Sequence, residues 1–504
     1  MKNIKFIRAI VLISFVSISL FSCTNLDEEA LDGTIQSGDQ GGAVDTKAFL
    51  ATAYNGLREF QNQGNMFAFS EMSTDALVGP TRGGDWDDNG AWRQMHTLTW
   101  DPVHVHVRDS WNILLSNVYN CNQVINNNGS ASDIVQARFL RAFYYFNVID
   151  LFGQVPYRGT DLKSDAKVYT RTEATNFVIS ELEAILTALP ARTPGDASVA
   201  NKDAAHFLLA KLYLNKAVYT AAAPEGPYTF SPADMTKVVS HVDAISSSLA
   251  PAYWDNFKPT NNTSPEILFS SKNIRSGSGG GIQSRWRMCQ HYNQTPGGWN
   301  GFATVAEYYN RFNSADKRLN YSDAGTVAAF GNPAGFQVGQ QYAPGGTTAL
   351  KDRNGSPLVF TPSVTMITSG ATLETAGIRA EKYVPDAADL GAPENDYVLF
   401  RYADALLMKA EAITRGGTGS IGTILTDLAA RANVPAAPAT LDGIYAERGR
   451  ELWWEGWRRN DMIRFGKYLG ARELKTNVSD PKYLLLPIPS AALLNPNLKQ
   501  NPGY

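Results

Sequence analysis

Cysteine is nearly absent from this chain: Cys23, Cys121 and Cys289 are its 3 thiols in 504 residues. So few thiols in so long a sequence exclude a disulfide framework. Histidine is scarce too, with 6 residues. His104 and His106 would lie on one face of a strand with His96 nearby, but no third ligand occurs at a suitable spacing, and a metal site is not expected. No Gly-x-Ser-x-Gly or His-Glu-x-x-His pattern occurs, and the glycine run at 277–281 lacks the Gly-Lys-Ser/Thr of a phosphate loop. Asp85, Asp87 and Asp88 stand too close together on one tip to act as the separated carboxylates of a glycosidase. No nucleophile is found with a base, so neither an enzyme nor a cofactor is expected. Charge is balanced, at −3 overall with a pI near 6.1, which gives no reason to expect nucleic acid or anionic lipid as the main partner. Beyond the first 22 residues no apolar run reaches the roughly 20 residues that a bilayer span needs.

The first apolar run is short and has a targeting pattern. Lys2, Lys5 and Arg8 precede an apolar stretch at 9–21, and Leu20-Phe21-Ser22-Cys23 reads as a lipobox. The thiol of Cys23 would be diacylated and Cys23 would become the new N-terminus, and more than one acyl chain gives stable membrane anchoring. Residues 1–22 are therefore expected to be a lipoprotein signal peptide. Residues 23–45 are polar, lack periodicity, and are expected to form a lipidated tether.

Helical periodicity fills most of the chain beyond residue 45. Apolar stripes predict helices over 46–60, 111–125, 138–151, 172–188, 204–219, 232–249, 397–414 and 421–432. The segment 138–151 is apolar almost all round and should be buried on most sides. Cys121 falls on an apolar stripe as a core thiol. Between about 256 and 392 Gly, Asn, Ser and Pro rise, and short β-like runs at 267–269 and 358–361 replace the stripes. A loop region this long inside a compact protein is usually functional or disordered, and its tryptophans and tyrosines favour function.

A late segment, 446–468, reads AERGRELWWEGWRRNDMIRFGKY and predicts one helix. Glu447, Glu451 and Glu455 would form a column whose mutual repulsion costs about 0.2–0.5 kcal/mol per pair. With Arg448, Arg450, Arg458, Arg459 and Arg464 on the same turns, the expectation is a helix docked in a partly buried charged seam.

This segment resembles the pattern near the C-terminus of the SusD/RagB family of outer-membrane nutrient-binding lipoproteins. So do RFLRAFYYFNVIDLFGQVPY at 138–157, NDYVLFRYADALLMKAEA at 395–412, LLLPIPSAALLNPNLKQNPGY at 484–504, and the lipobox. The resemblance implies a mainly α fold: a tetratricopeptide-like helix-pair scaffold with long irregular loops and a few short strands, forming a single body. It divides into an N-terminal helical region at 46–255 and a C-terminal region at 256–504 that carries the loop-rich insert and closing helices. It further implies a cell-surface lipoprotein that captures oligosaccharide or polysaccharide and delivers it to a SusC-like TonB-dependent β-barrel transporter. Asp27-Glu28-Glu29, just after the lipid site, resembles the acidic signal that sends some such lipoproteins to the cell exterior. The alternative is a helical interaction scaffold of an outer-membrane complex with no glycan site of its own.

Two aromatic-rich loops are the candidate glycan surface. At 71–100 lie Asp75, Arg82, Asp85, Trp86 and Trp92, and at 285–309 lie Trp286, Tyr292 and Trp299. A pyranose lays its apolar C–H face on an aromatic plane while its hydroxyls need donors and acceptors around the rim. Trp86, between Gly83-Gly84 and Asp87-Asp88-Asn89-Gly90, is expected to be the most exposed ring, followed by Trp92 and Trp299. Trp100, before Asp101-Pro102, is expected in the core.

Overall fold

Helix pairs joined by short turns build the first half of the body. The structure, a computed structural model, describes residues 44–159, 167–275, 281–365, 367–368 and 371–504, so Cys23, most of the tether and most of the glycine run lie outside it. Helix α1 (Thr46–Asn55) starts behind Asp45, whose carboxylate accepts from the amides of Lys47 and Ala48 and satisfies two donors of the first turn. The stripe predicts helix through 60, but a 3-10 stretch, Gly56–Gln61, replaces the last turns. A neighbouring helix crosses there so closely that a Cβ on Gly56 would lie 2.1 Å from Asn117 Oδ1.

Helices α2 (Asn65–Glu71) and α3 (Ala91–Thr97) come next, then α4 (Val105–Asn126), α5 (Ala131–Leu151), α6 (Arg171–Ile185), α7 (Lys202–Tyr219) and α8 (Pro232–Asp243). Successive helices pack on one another, α4 on α5, α5 on α6, and α7 on α8. Because α4 begins at Val105, His104 and His106 straddle a helix start and do not lie on a strand. Helix α5 is buried on most sides, as its composition predicts. Its Arg141 lies inside the body, 2.7 Å from Glu181 on α6 and 2.8 Å from Asn122 on α4. Cys121 and Cys289 are buried and unpaired, and burial pushes both thiols up to about 12.

One short hairpin interrupts the helices of the first half, and short strands and short helices alternate through the second. Strands β1 (Val155–Tyr157) and β2 (Lys167–Tyr169) pair with each other. Strand β3 (Ile267–Ser271) precedes helices α9 (Ser284–Arg287), α10 (Ala306–Tyr309) and α11 (Ala324–Phe330). β4 (Asn320–Tyr321), β5 (Ala334–Gln337) and β8 (Arg379–Glu381) form a small antiparallel sheet, while β6 (Gly339–Gln340) pairs with β7 (Val359–Phe360). The helix predicted from Tyr397 starts late: Tyr397–Arg401 is strand β9, antiparallel to β3, and helix α12 spans Tyr402–Thr414. All five residues of β9 are buried, and an apolar run enclosed on both faces carries no period to tell strand from helix.

Helix α13 (Ile424–Ala432) leads to the late segment, where two helices replace the predicted one. Helix α14 (Leu441–Glu451) and helix α15 (Arg458–Arg464) flank a break in which Trp454 (φ 55°) and Gly456 (φ 85°) take left-handed backbone conformations. The break sinks both Trp453 and Trp454 to 1% exposure, which adjacent residues of one helix, about 100° apart, would not easily reach together. The charged seam is present. Glu451 lies 2.7 Å from Arg401 and 3.0 Å from Arg318, Glu447 lies 2.6 Å from Arg318, and Glu455 lies 2.6 Å from Arg401 and 2.8 Å from Lys382. All six side chains are almost completely enclosed. The glutamates of the late segment are met by cations from elsewhere in the body, with Arg450 also on Glu447, while Asp461 is met within the segment by Arg448 (2.8 Å) and Arg464 (2.6 Å), and the second half is thereby fastened around buried ion pairs.

Candidate functional site

The two aromatic loops meet on one side of this body. Val78 and Ala303 exchange backbone hydrogen bonds of 2.8 and 2.9 Å, which join the chain before the Trp86 tip to the chain after Trp299. The tip itself is a tight turn, with Arg82 and Asp85 bonded through their backbones and Gly83 at φ 72°. No atom lies within 4 Å of a Cβ built on Gly83 or Gly84, so this turn projects into open space.

Four of the eight predicted glycan contacts are drawn inside, and each has a physical reason. Asp75 is 5% exposed because Arg458 (2.7 Å) and Arg311 (2.6 Å) hold it. Burial alone would raise its carboxyl, but Arg458 and Arg311 overcome that and hold it well below the usual range. Arg82 is 1% exposed and donates to the carbonyls of Gly301 (3.0 Å), Ala376 (3.0 Å) and Leu373, fastening three loops from beneath. Trp286 is fully buried on α9 within the main apolar core. Trp92, 5% exposed on α3, packs its ring against His106 (4.7 Å) and Phe302 (5.0 Å) and donates its Nε1 hydrogen to Asp88. These residues support the surface from below and are not part of it. Trp100 is in the core, as predicted, with Nε1 donating to the Tyr504 hydroxyl at 2.9 Å.

Trp86, Trp299, Tyr292 and Asp85 remain accessible, and the fold brings them together. Trp86 is half-buried at φ 62°, a region costly for a bulky side chain and a recurrent mark of functional loops. Its Nε1 donates to the Trp299 carbonyl at 2.7 Å, and the two indole rings lie 6.5 Å apart at 42°. Trp299 is 36% exposed and the more open of the two rings. Tyr292 donates its hydroxyl to Asp85 Oδ2 at 2.5 Å. Burial first, and then Asp85, push the phenol up to about 12, so it stays protonated and is no nucleophile.

One rim residue escapes sequence reasoning. Arg353, on the tip between β6 and β7, stacks its guanidinium 4.6 Å over the Tyr292 ring and reaches Asp85 at 3.3 Å and Glu374 at 3.2 Å. Glu374 also meets His291 Nε2 at 2.9 Å. The approach of 353 to 292 and 85 spans three loops distant in sequence, and neither periodicity nor composition signals it.

His96, His104 and His106 are engaged in hydrogen bonds with the protein. His104 Nε2 faces the Ala91 carbonyl (3.1 Å), His106 Nδ1 faces Asn65 Oδ1 (2.9 Å), and His96 sits between the Leu77 and Glu473 carbonyls. Among the described residues no three His, Cys, Asp or Glu side chains gather to hold an ion. The arrangement offers two tilted indole faces beside a carboxylate, a guanidinium and a phenol, which is chemistry for holding a ligand with apolar faces and many hydroxyls.

Comparison with known proteins agrees with the fold. The family model described as "SusD family" matches residues 243–504, and one described as "Starch-binding associating with outer membrane" matches residues 27–214. The starch-binding protein SusD of Bacteroides thetaiotaomicron is 26% identical over 100% of this chain and 99% of its own length, and a SusD-like protein of Formosa agariphila is 24% identical over 79% of this chain and 80% of its own. Among solved structures, a laminarin-binding SusD-like protein superposes with a TM-score of 0.68 at 20% identity, covering 91% of this chain and 99% of that one. Surface glycan-binding protein A of Bacteroides thetaiotaomicron, in complex with laminarihexaose, superposes with a TM-score of 0.63 at 21% identity, covering 90% and 98%. With a match through more than half of its residues and a relative along its whole length, this chain belongs to the SusD family.

Proposed function

We propose that this protein is a glycan-binding lipoprotein of the outer membrane, anchored through Cys23 and facing the cell exterior, that captures oligosaccharide or polysaccharide for a SusC-like TonB-dependent transporter. The reading makes it a binding protein and not an enzyme. The observation that carries it is the pair of accessible indoles, Trp86 and Trp299, 6.5 Å apart beside the polar Asp85, Tyr292 and Arg353. The names of its relatives, a starch-binding protein and a laminarin-binding protein, favour the same ligand class.

The geometry also bounds the strength. Two partly covered rings and a hydrated rim gain little beyond the cost of desolvating sugar hydroxyls, so affinity between about millimolar and micromolar, or about −4 to −8 kcal/mol, is expected. That range suits capture from a polymer offering many sites.

Affinity gel electrophoresis of the mature chain against a panel of polysaccharides tests the reading. Retardation by at least one glycan is expected, and Trp299→Ala should abolish it with little change in melting temperature because that ring is exposed. Trp86→Ala should abolish it with a measurable melting shift, since Trp86 also packs on Phe302 at 5.0 Å. Full retention by both variants, or no retardation of the parent chain by any glycan, would overturn the proposal.

A further inference from the structure

One carboxylate beneath the rim belongs to neither aromatic loop. Glu374 ends the short 3-10 turn Ala371–Glu374, and its side chain is only 10% exposed. A single oxygen, Oε1, accepts from His291 Nε2 (2.9 Å), from the Arg353 amide (3.0 Å) and from Arg353 Nε (3.2 Å). His291 Nδ1 already accepts from the Asn293 amide at 3.1 Å, so the ring carries its hydrogen on Nε2 and donates it to Glu374. Burial pushes the Glu374 carboxyl upward, but the Arg353 amide and the His291 ring outweigh burial and hold it below its usual value.

These contacts close into a ring. Arg353 reaches Asp85 at 3.3 Å, Asp85 accepts from Tyr292, and Tyr292 follows His291 in the chain. The Glu374 carbonyl also accepts from Asn300 Nδ2 at 3.0 Å, one residue beyond Trp299. Glu374 therefore ties the Arg353 tip to the loop that carries both Tyr292 and Trp299. The tip does not need it to fold, because Asp352 Oδ1 accepts from the amides of Asn354 and Ser356 at 2.9 Å and the Asp352 amide donates to the Ser356 carbonyl at 2.8 Å. What Glu374 adds is the placing of one side chain. Arg353 is 46% exposed, and without Glu374 its contacts are the Tyr292 face at 4.6 Å and Asp85 at 3.3 Å. A long side chain held so loosely samples many rotamers, and a ligand would have to order it on binding. We propose that Glu374 is a positioning residue for glycan binding: from beneath the rim it presets Arg353, and through it Asp85 and Tyr292, in the arrangement that meets sugar hydroxyls. This deepens the glycan-binding reading above and rests on it.

The mature chain and its variants, run on affinity gels with graded starch, laminarin, fructan and polygalacturonate at a temperature well below every melting point, give the test. Against the polymer that retards the parent most, Glu374→Ala is expected to bind about threefold to tenfold more weakly. Glu374→Gln keeps an oxygen where Oε1 stands and should regain most of that loss. In a chain that already carries Arg353→Ala, Glu374→Ala should cost nothing further, since its effect passes through that arginine. Parent-level binding by Glu374→Ala or by Arg353→Ala, an equal loss in Glu374→Gln, or losses that multiply in the double variant would each overturn this inference and leave glycan binding intact. No retardation of the parent by any polymer instead removes the glycan-binding reading, and this inference with it.

Discussion

Gly301 lies directly against the indole of Trp86: a Cβ built on that glycine would sit 2.3 Å from Cε2 and 2.4 Å from Cζ2 of the ring. No real Cβ makes contacts this short, so the ring lies where it does because residue 301 has no side chain. The same ring is fixed at a second point by its hydrogen bond to the Trp299 carbonyl, two residues earlier. Gly301 therefore sets the plane on which a sugar would rest. Gly301→Ala is expected to push the indole outward and weaken glycan retention about tenfold or more, the overpacking costing about 1–3 kcal/mol. Acrylamide quenching of tryptophan fluorescence should rise in the same variant without ligand. A variant that binds glycan normally with unaltered quenching would show that the ring tolerates the methyl and that this contact does not position it.

Trp286 and Trp299 are thirteen residues apart, the first between Arg285 and Arg287 and the second between Gly298 and Asn300, and one is wholly enclosed while the other is 36% exposed. Truncating the first should cost stability, and truncating the second should cost binding. Trp286→Ala is expected to destabilise the body by about 3–5 kcal/mol, the usual range for emptying a large core site. Trp299→Ala should lie within about 0.5 kcal/mol of the parent, as substitutions at exposed positions do. Chemical denaturation followed by circular dichroism separates them, and equal losses would contradict the burial difference.

Much of this architecture is legible in the residues themselves. The apolar stripes locate α4, α6 and α8 because each of these helices buries one face against a neighbour, which is what the 3.6-residue period encodes, whereas α5 and α7 are apolar and buried on most sides. The same period fails at Tyr397–Arg401, enclosed on both faces, and at Trp453 and Trp454, where a turn with two left-handed residues replaces a helix that its composition permits. At the site, sequence composition finds the two loops but does not separate Trp86 and Trp299 from the buried Trp92 and Trp286, and the ring expected to be most exposed, Trp86, is half-buried while Trp299 is the more open. It misplaces Asp75 and Arg82 because a charged side chain in a loop looks the same whether it faces water or a partner such as Arg458. Arg353 stays hidden for a related reason: its contacts with Asp85 and Tyr292 exist only after three separate loops have folded together.

The buried acids of the late segment predict a steep loss on truncation. Glu451, fully enclosed, accepts from Arg401 (2.7 Å), Arg318 (3.0 Å) and Arg431. Burial pushes its carboxyl upward, and Arg431, Arg401 and Arg318 overcome that push and hold it well below the usual carboxylate range. Glu451→Ala leaves three enclosed cations short of one anion and is expected to destabilise the body by about 3–5 kcal/mol, the range for breaking a buried pair by removing one partner. A shift of less than about 1 kcal/mol in chemical denaturation would fall to the level of an exposed pair and show that the seam relaxes or admits water.

Acid should loosen the contact between α7 and α8. His206 on α7 and His241 on α8 face each other with their Nδ1 atoms 3.1 Å apart, and the His241 ring stacks at 18° on Tyr213. A single hydrogen between the two nitrogens satisfies both, whereas two protonated rings would repel. Burial lowers both imidazoles. His206 and Lys237 lower His241 further, to about 4, and at His206 Lys202 opposes the upward pull of Asp203. The unfolded chain takes up these protons near pH 6.5, while folded His241 refuses its proton until about pH 4. Across that window the unfolded state binds more protons, so the contribution is complete above about pH 6.5 and is lost as the pH falls toward 4. Discounted for the partial exposure of the pair, the loss between pH 7 and pH 5 is expected to be about 1 kcal/mol. Glu71 and Glu381, pushed up to about 8 by burial, act with the opposite sign, since their folded forms hold protons that the unfolded chain releases above about pH 4.5. For that reason the measurement compares urea midpoints of the parent and of His241→Gln over a pH series, where the carboxyl contributions cancel. The variant should show the shallower fall toward pH 5, and parallel curves would remove this pair as a source of acid sensitivity.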